Sequence, residues 1–449
     1  MTVKSEILRD DADLADWRGW RRAWRKLAAR FRSLDVVAAL TAASLPWSTT
    51  ASTILIVLWL IILVPTLEWD EFARSLMRPA CAWPLALFAL AVVGTLWSDG
   101  TWSNGAWAAS LRGIKPVAKL VVIPFLLYYF QRSPHGGAWA FMAFLVSCTL
   151  LMILSWIVLF VPGLKLAHTL SAGVPVKNYI DQNQEFALCA FALAVPALMA
   201  WRWRKWRLAA GCLALALAFI ANMLFVALAR TALIYMPVLL ILFAWRHLGR
   251  RAMLVLLAGA IVAGSLVWTN SPYLRQRIGD IGVEYQAHDI SGIASTAQRL
   301  TYWRKSIKFL AAAPLLGHGT GSINAQFERD AAGQTGLQAE IVNNPHNQTL
   351  AVAVQWGLVG VMLLYAMWLN HLLLFTGRTL AAWIGLVVVV QNVVSSLLNS
   401  HLFDFHEGWM YVLGVGVAGG MALANSRGDC QVGRLRPASP AKIEKNRTV

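Results

Sequence analysis

Residues 208–245 read LAAGCLALALAFIANMLFVALARTALIYMPVLLILFAW, an apolar run with a single charge, Arg230. A bilayer core of roughly 30 Å is crossed by about 20 helical residues, so the run is about twice the length of one span. It reads as two membrane helices that fold back near Ala227 to Thr231, with Arg230 in the turn between them. Both flanks are basic and rich in tryptophan, WRWRKWR at 201–207 and WRHLGRR at 245–251. Short basic loops stay on the cytoplasmic side, so Arg230 is expected at the outer side.

The rest of the chain extends this pattern. It is 58% hydrophobic and 14% charged with 22 tryptophans, too apolar for an ordinary water-soluble domain. The alternation of a barrel strand is absent, which leaves helices. Spans are predicted at 35–48, 51–67, 83–98, 114–131, 138–162, 184–201, 207–226, 230–245, 252–270, 346–374, 379–400 and 409–425. The fold class is therefore an all-α polytopic membrane protein of about 12 transmembrane helices, both termini cytoplasmic. A large helical periplasmic loop separates spans nine and ten.

The domains follow as a basic amphipathic segment at 1–33, spans one to nine at 34–270, the loop at 271–345, three further spans at 346–425 and a basic tail at 426–449. In the first of these, Trp17, Trp20, Trp24, Leu27 and Phe31 recur at helical spacing among arginines, as in a helix lying in the headgroup layer. No signal peptide is expected, because a long polar segment precedes the first apolar run.

A net charge of +17 raises nucleic acid as a partner, and the placement of the cations excludes it. Roughly 26 of the 39 Lys and Arg fall in cytoplasmic segments, against about six in short outer loops. Membrane lipids are the partner this pattern implies. The five cysteines are scattered without disulfide or metal spacing.

Among residues suited to chemistry, Arg230 either snorkels to lipid phosphate or faces a cavity as an anion ligand. In the loop, Leu300, Trp303, Ile307 and Leu310 form an apolar stripe that leaves Arg299, Arg304, Lys305 and Lys308 on its flanks. A guanidinium there suits a diphosphate. His346 lies in NNPHNQTL, where the loop turns into an apolar helix. With Asn344 as N-cap and Pro345 at the first position, His346 falls in the first turn, where the helix dipole favours a neutral ring able to take a proton. Gly357 and Gly360 follow on the same face of that helix and allow another helix to approach closely.

The GHGTG at 317–321 lacks the Lys and Ser or Thr of a P-loop and reads as a turn. His318, His401, His406 and Asp404 lack the spacing of a metal site, so no metal is expected. Lys177, Asn178, Asp181, Gln182 and Asn183, with Asn344, Asn347, Asp404 and His318, are candidates for binding sugar hydroxyls.

On these residues the chain resembles the bacterial O-antigen ligases, within the superfamily that also holds O-antigen polymerases and protein O-oligosaccharyltransferases. The family signature is a histidine followed by Asn, Ser or Gln, nine variable residues, then Gly, two residues and a small or β-branched one. Here it is His346, Asn347, Gly357 and Gly360. The topology, Arg230 and the run QRLTYWRKSIKFLAAAPLLGHG agree with it as well. The resemblance implies a glycosyltransferase of the membrane-embedded C type (GT-C), metal-independent and without cofactor. It would act in lipopolysaccharide assembly at the periplasmic face of the bacterial inner membrane, passing an O-antigen glycan from undecaprenyl diphosphate to a sugar hydroxyl of lipid A-core with inversion. It also implies an arginine in the outer turn, an arginine in the loop and the signature histidine as the catalytic set: Arg230, Arg299 and His346, with Arg304 close enough to Arg299 to compete for the second place. A polymerase or protein-glycosylating relative is the nearest alternative, and a transporter or flippase is the non-enzyme one.

Overall fold

The computed structural model describes residues 32–98, 106–169, 171–227, 229–270, 275 and 295–434. Most of the amino-terminal amphipathic segment, much of the start of the loop and the end of the tail lie outside the described residues.

The described chain is helical without strands. Helix α1 covers 32–44. It is followed by α2 (Thr49–Leu63), α3 (Trp69–Leu76), α4 (Pro79–Val93), α5 (Ala106–Ala118), α6 (Val122–Arg132) and α7 (Pro134–Phe160). Next come α8 (Tyr179–Arg202), α9 (Trp206–Phe225), α10 (Ala232–His247) and α11 (Arg250–Asn270). The loop contributes α12 (Ser295–Ala312) and α13 (Ile323–Ala331), and α14 (Gln348–Leu374), α15 (Leu380–Ser395) and α16 (Phe405–Arg434) end the fold. Each of the apolar segments read from the sequence contains a helix. Seven among the described residues are long and apolar enough to cross a membrane, or eight if α3 and α4, bent by 78°, count as one crossing. The shorter α10 and α15 are apolar but fall below that length. The protein is thus a multi-pass membrane protein. The last helix runs on to Arg434, into the segment read as a free tail.

Packing follows side-chain size and polarity. Helix α16 lies along α6 and α15, α8 pairs with α9, and α14 packs on α4 and receives α12. Where α16 meets α6 the two backbones run close: a Cβ added at Gly416 would stand 2.4 Å from Leu126 Cβ. The turn between α9 and α10 is fastened to α8, where Asn183 donates to the Ala227 carbonyl and accepts from the Ala229 N–H at 3.3 Å.

Two sequence expectations are corrected here. The buried face of α12 is not the Leu300, Trp303, Ile307, Leu310 stripe, since Ile307 is 56% exposed. Thr301, Tyr302, Lys305, Ser306 and Phe309 are buried instead. Lys305 is tolerated there because Asp330 on α13 pairs with it at 3.0 Å.

Nor is α14 one continuous helix. It breaks at Trp356 (φ −131°, ψ 15°) and Gly357 (φ 58°, ψ −156°). The 313–321 segment fills the break. The N–H groups of His318 and Gly319 donate to the Val354 and Gln355 carbonyls at 2.9 and 2.8 Å, and those of Leu358 and Val359 donate to Pro314 and Leu315 at 2.8 and 3.3 Å. Carbonyls and amides orphaned by the break are thereby satisfied inside protein, the condition for irregular backbone at membrane depth. Thr320, fully buried, completes the plug: its hydroxyl accepts from Trp356 Nε1 at 2.8 Å and its N–H donates to the Gly94 carbonyl at 2.9 Å.

Candidate active site

The site is built where the loop enters α14. Its N-cap is Asn347, whose side chain accepts from the Leu350 N–H at 3.0 Å. Asn344 and Pro345, expected as cap and first residue, lie before the helix. His346 is therefore not in the first turn but precedes the cap, in the left-handed region at φ 54°. The Asn344 carbonyl oxygen Oδ1 holds that bend by accepting from the His346 N–H at 2.8 Å. The same oxygen accepts from Ser400 Oγ at 2.7 Å, Asn347 Nδ2 donates to the Leu397 carbonyl at 2.9 Å, and the Gln348 N–H donates to Ser396 at 3.0 Å. Residues 344–348 are thus joined to the turn between α15 and α16.

That turn orients the imidazole. His346 Nδ1 is 2.8 Å from Asn399 Oδ1, and Asn399 Nδ2 donates to Asp404 Oδ2 at 3.1 Å. A carboxylate only accepts, so Asp404 fixes which end of the amide faces His346, and the amide oxygen in turn requires a proton on Nδ1. The Nε2 lone pair is left to accept. On its other side the ring stacks near Tyr302, centroids 6.3 Å apart, and Trp303 Nε1 donates to the His346 carbonyl at 3.4 Å. Tyr302 donates to Glu340, and burial together with that carboxylate raises its pKa, keeping the phenol protonated. Burial also lowers the His346 pKa below 6.5; the Asn399 bond opposes this and the Arg299 charge reinforces it.

Other sequence candidates divide by their contacts. Arg299 is half-buried and close enough for its charge to act on His346, whereas Arg304, one turn along α12, is exposed. Arg230 is half-buried in the α9–α10 turn. That turn is bonded to Asn183, in the first part of α8, where Asp181 meets His406 at 2.8 Å. His406 follows Asp404, so a run of contacts links the Arg230 turn to the His346 turn at one end of the bundle.

His318, Lys177, Asn178, Gln182 and Asn183 are committed to structure rather than sugar. His318 Nε2 bonds the Phe309 carbonyl at 2.9 Å, Lys177 contacts the Leu45 carbonyl and lies 3.6 Å from Glu185, and Asn178 caps α8. Gln182 Nε2 donates to Ser155 Oγ at 3.0 Å and Asn183 Nδ2 to the Tyr179 carbonyl at 2.7 Å.

Sequence reasoning missed Asn399, Tyr302, Glu407 and Lys119. The signal for the last was available as a lysine within an apolar span. Its Nζ donates to the carbonyls of Phe403 and Asp404 and shapes the turn that carries Asn399. The spacing argument against any metal grouping is also revised: His401, Asp404 and Glu407 converge, with potential ligand atoms within 4.8 Å of one another. Lys119 already supplies positive charge beside these carboxylates.

No curated protein matches the chain. Residues 215–365 match the family model described as O-Antigen ligase. Through that segment, which holds Arg230, Arg299, His346 and the broken helix, this chain is a member of the O-antigen ligase superfamily.

Proposed function

We propose that the protein is an O-antigen ligase that transfers a glycan from undecaprenyl diphosphate to a sugar hydroxyl of lipid A-core, at the periplasmic face of the inner membrane. Members of the superfamily are glycosyltransferase-like enzymes, and the single observation that carries the finer reading is the orientation of His346 by Asn399 and Asp404. In the reaction the acceptor oxygen bonds to the anomeric carbon as the bond from that carbon to the diphosphate oxygen breaks. The hydroxyl proton passes to His346 Nε2, and Arg230 and Arg299 hold the negative charge that collects on the leaving diphosphate. Attack opposite the leaving group inverts the anomeric centre. No step calls on a metal or cofactor.

The deciding experiment offers purified protein a lipid-linked glycan together with lipid A-core or a second lipid-linked glycan. Glycan on the core supports the reading, extension of the lipid-linked glycan would make the protein a polymerase, and transfer to neither would overturn both.

Two predictions belong to this mechanism. Arg299→Ala is expected to lower transfer by roughly 10²- to 10³-fold, the usual consequence of removing one donor to a developing anion, while Arg304→Ala leaves it nearly unchanged. Equal losses would reassign the loop arginine.

The second concerns pH. A base must be neutral, so the acidic limb of the pH profile of kcat/KM tracks the His346 pKa, which lies below 6.5. Activity should hold through neutral pH and fall only as pH drops through that depressed value. In Asn399→Asp a carboxylate facing Nδ1 favours the imidazolium and moves the limb to higher pH. An unmoved limb would remove Asn399 from its role as the positioning residue.

A further inference from the structure

Away from the candidate site, four helices enclose an apolar cleft of about 1470 Å³ that is open on one side. Its walls include Ala194 on α8 with Ala210, Leu213 and Leu217 on α9, faced by Phe243 on α10 and Leu256 on α11, and no lining side chain is charged. Alanines on α8 and α9 leave space that longer side chains would have filled. Leu213 and Leu217 remain 53% and 54% exposed.

The cleft ends at Trp201 and Trp206, whose rings meet edge to face at 4.6 Å. Beyond them lie the turns at 201–207 and 245–251, which contain seven Lys and Arg and no acid: Arg202, Arg204, Lys205, Arg207, Arg246, Arg250 and Arg251. Two are committed to backbone, Arg202 to the His247 carbonyl at 2.8 Å and Arg246 to the carbonyls of Phe375 and Thr376 at 3.0 Å each. Arg204, Lys205, Arg207, Arg250 and Arg251 are exposed at the mouth of the cleft. The positive-inside bias explains cations at this end of the bundle. It does not explain an empty apolar cleft rising from them between two hairpins.

We propose that the cleft binds one anionic glycerophospholipid from the leaflet that faces these turns. The acyl chains lie along Ala194, Ala210 and Leu213, and the phosphate meets the cations of the 201–207 turn, in the manner of basic pockets between membrane helices. A polyprenyl diphosphate fits this position poorly. Its charge would be held beside Arg230, at the opposite end of α9 and α10 from the tryptophan pair.

The test is native mass spectrometry of the purified full chain with phosphatidylglycerol or phosphatidylcholine of identical acyl chains. Phosphatidylglycerol should be retained preferentially. Arg204→Gln combined with Arg207→Gln should weaken its retention by roughly 30-fold. Ala210→Trp, at an exposed position where a larger ring enters the cleft, should lower retention of phosphatidylglycerol with the charge unchanged. Equal retention of the two lipids, no loss in either variant, or displacement of phosphatidylglycerol by polyprenyl phosphate would overturn the proposal.

Discussion

Replacing His346 with alanine is expected to lower glycan transfer by roughly 10²- to 10⁴-fold, the contribution of a positioned general base. The ring is half-buried, and its one printed polar contact is with Asn399, whose amide retains Asp404 as a second partner. Thermal unfolding in detergent should therefore change little. Because His346 sits at φ 54°, alanine carries a backbone cost of about 1–2 kcal/mol that asparagine largely avoids. His346→Asn consequently separates chemistry from folding: it should unfold like the wild type and still fail to transfer. Activity within a few fold of wild type in His346→Asn would end the assignment of this ring as base.

The second large effect is on stability. Gly357 occupies φ 58°, ψ −156°, a region open in practice only to glycine, and a Cβ there would stand 2.4 Å from the Leu315 carbonyl. The neighbour is backbone, so no rotamer change relieves the overlap. Gly357→Ala should cost about 1–3 kcal/mol for the dihedral strain alone. It should lose more where the bonds of His318 and Gly319 across the break open, at about 0.5–1.5 kcal/mol each. Gly377→Ala is the matched control, since its Cβ would meet only Ala382 at 3.7 Å. A clear drop in the unfolding temperature of the first and not the second is the expected result. Equal temperatures would mean that α14 is not broken as described.

Hydropathy made the membrane helices legible, because burying backbone in lipid leaves a run of apolar residues that no other constraint imitates. The Arg230 turn and the start of α14 near His346 were legible for related reasons, one as a charge between two apolar halves and the other as a polar loop ending. The break was not. Trp356 and Gly357 sit among apolar residues on both sides, and a glycine read as a packing contact looks the same in sequence as a glycine at positive φ. The buried face of α12 was misread because Lys305 looks like a solvated charge until Asp330, distant in sequence, is placed against it. Asn399 was invisible for the same reason: its partner His346 is 53 positions away, and local spacing carries no trace of the pairing. The position of His346 itself was right to within a turn, yet its environment was not, since Asn347 rather than Asn344 caps the helix.

The plug in α14 limits how substrates can arrive. Helix α12 runs directly into the segment sealed between Val354 and Val359, so its carboxy-terminal end is moored in the membrane domain. A cap held this way cannot lift off as a whole. It can only swing about that mooring, and the largest excursion falls at the opposite end of α12, where Gln298 and Arg299 stand beside Glu340 and His346. Access to the imidazole is thus hinged from within the bilayer, and the arginine that would grip a departing diphosphate rides on the moving arm.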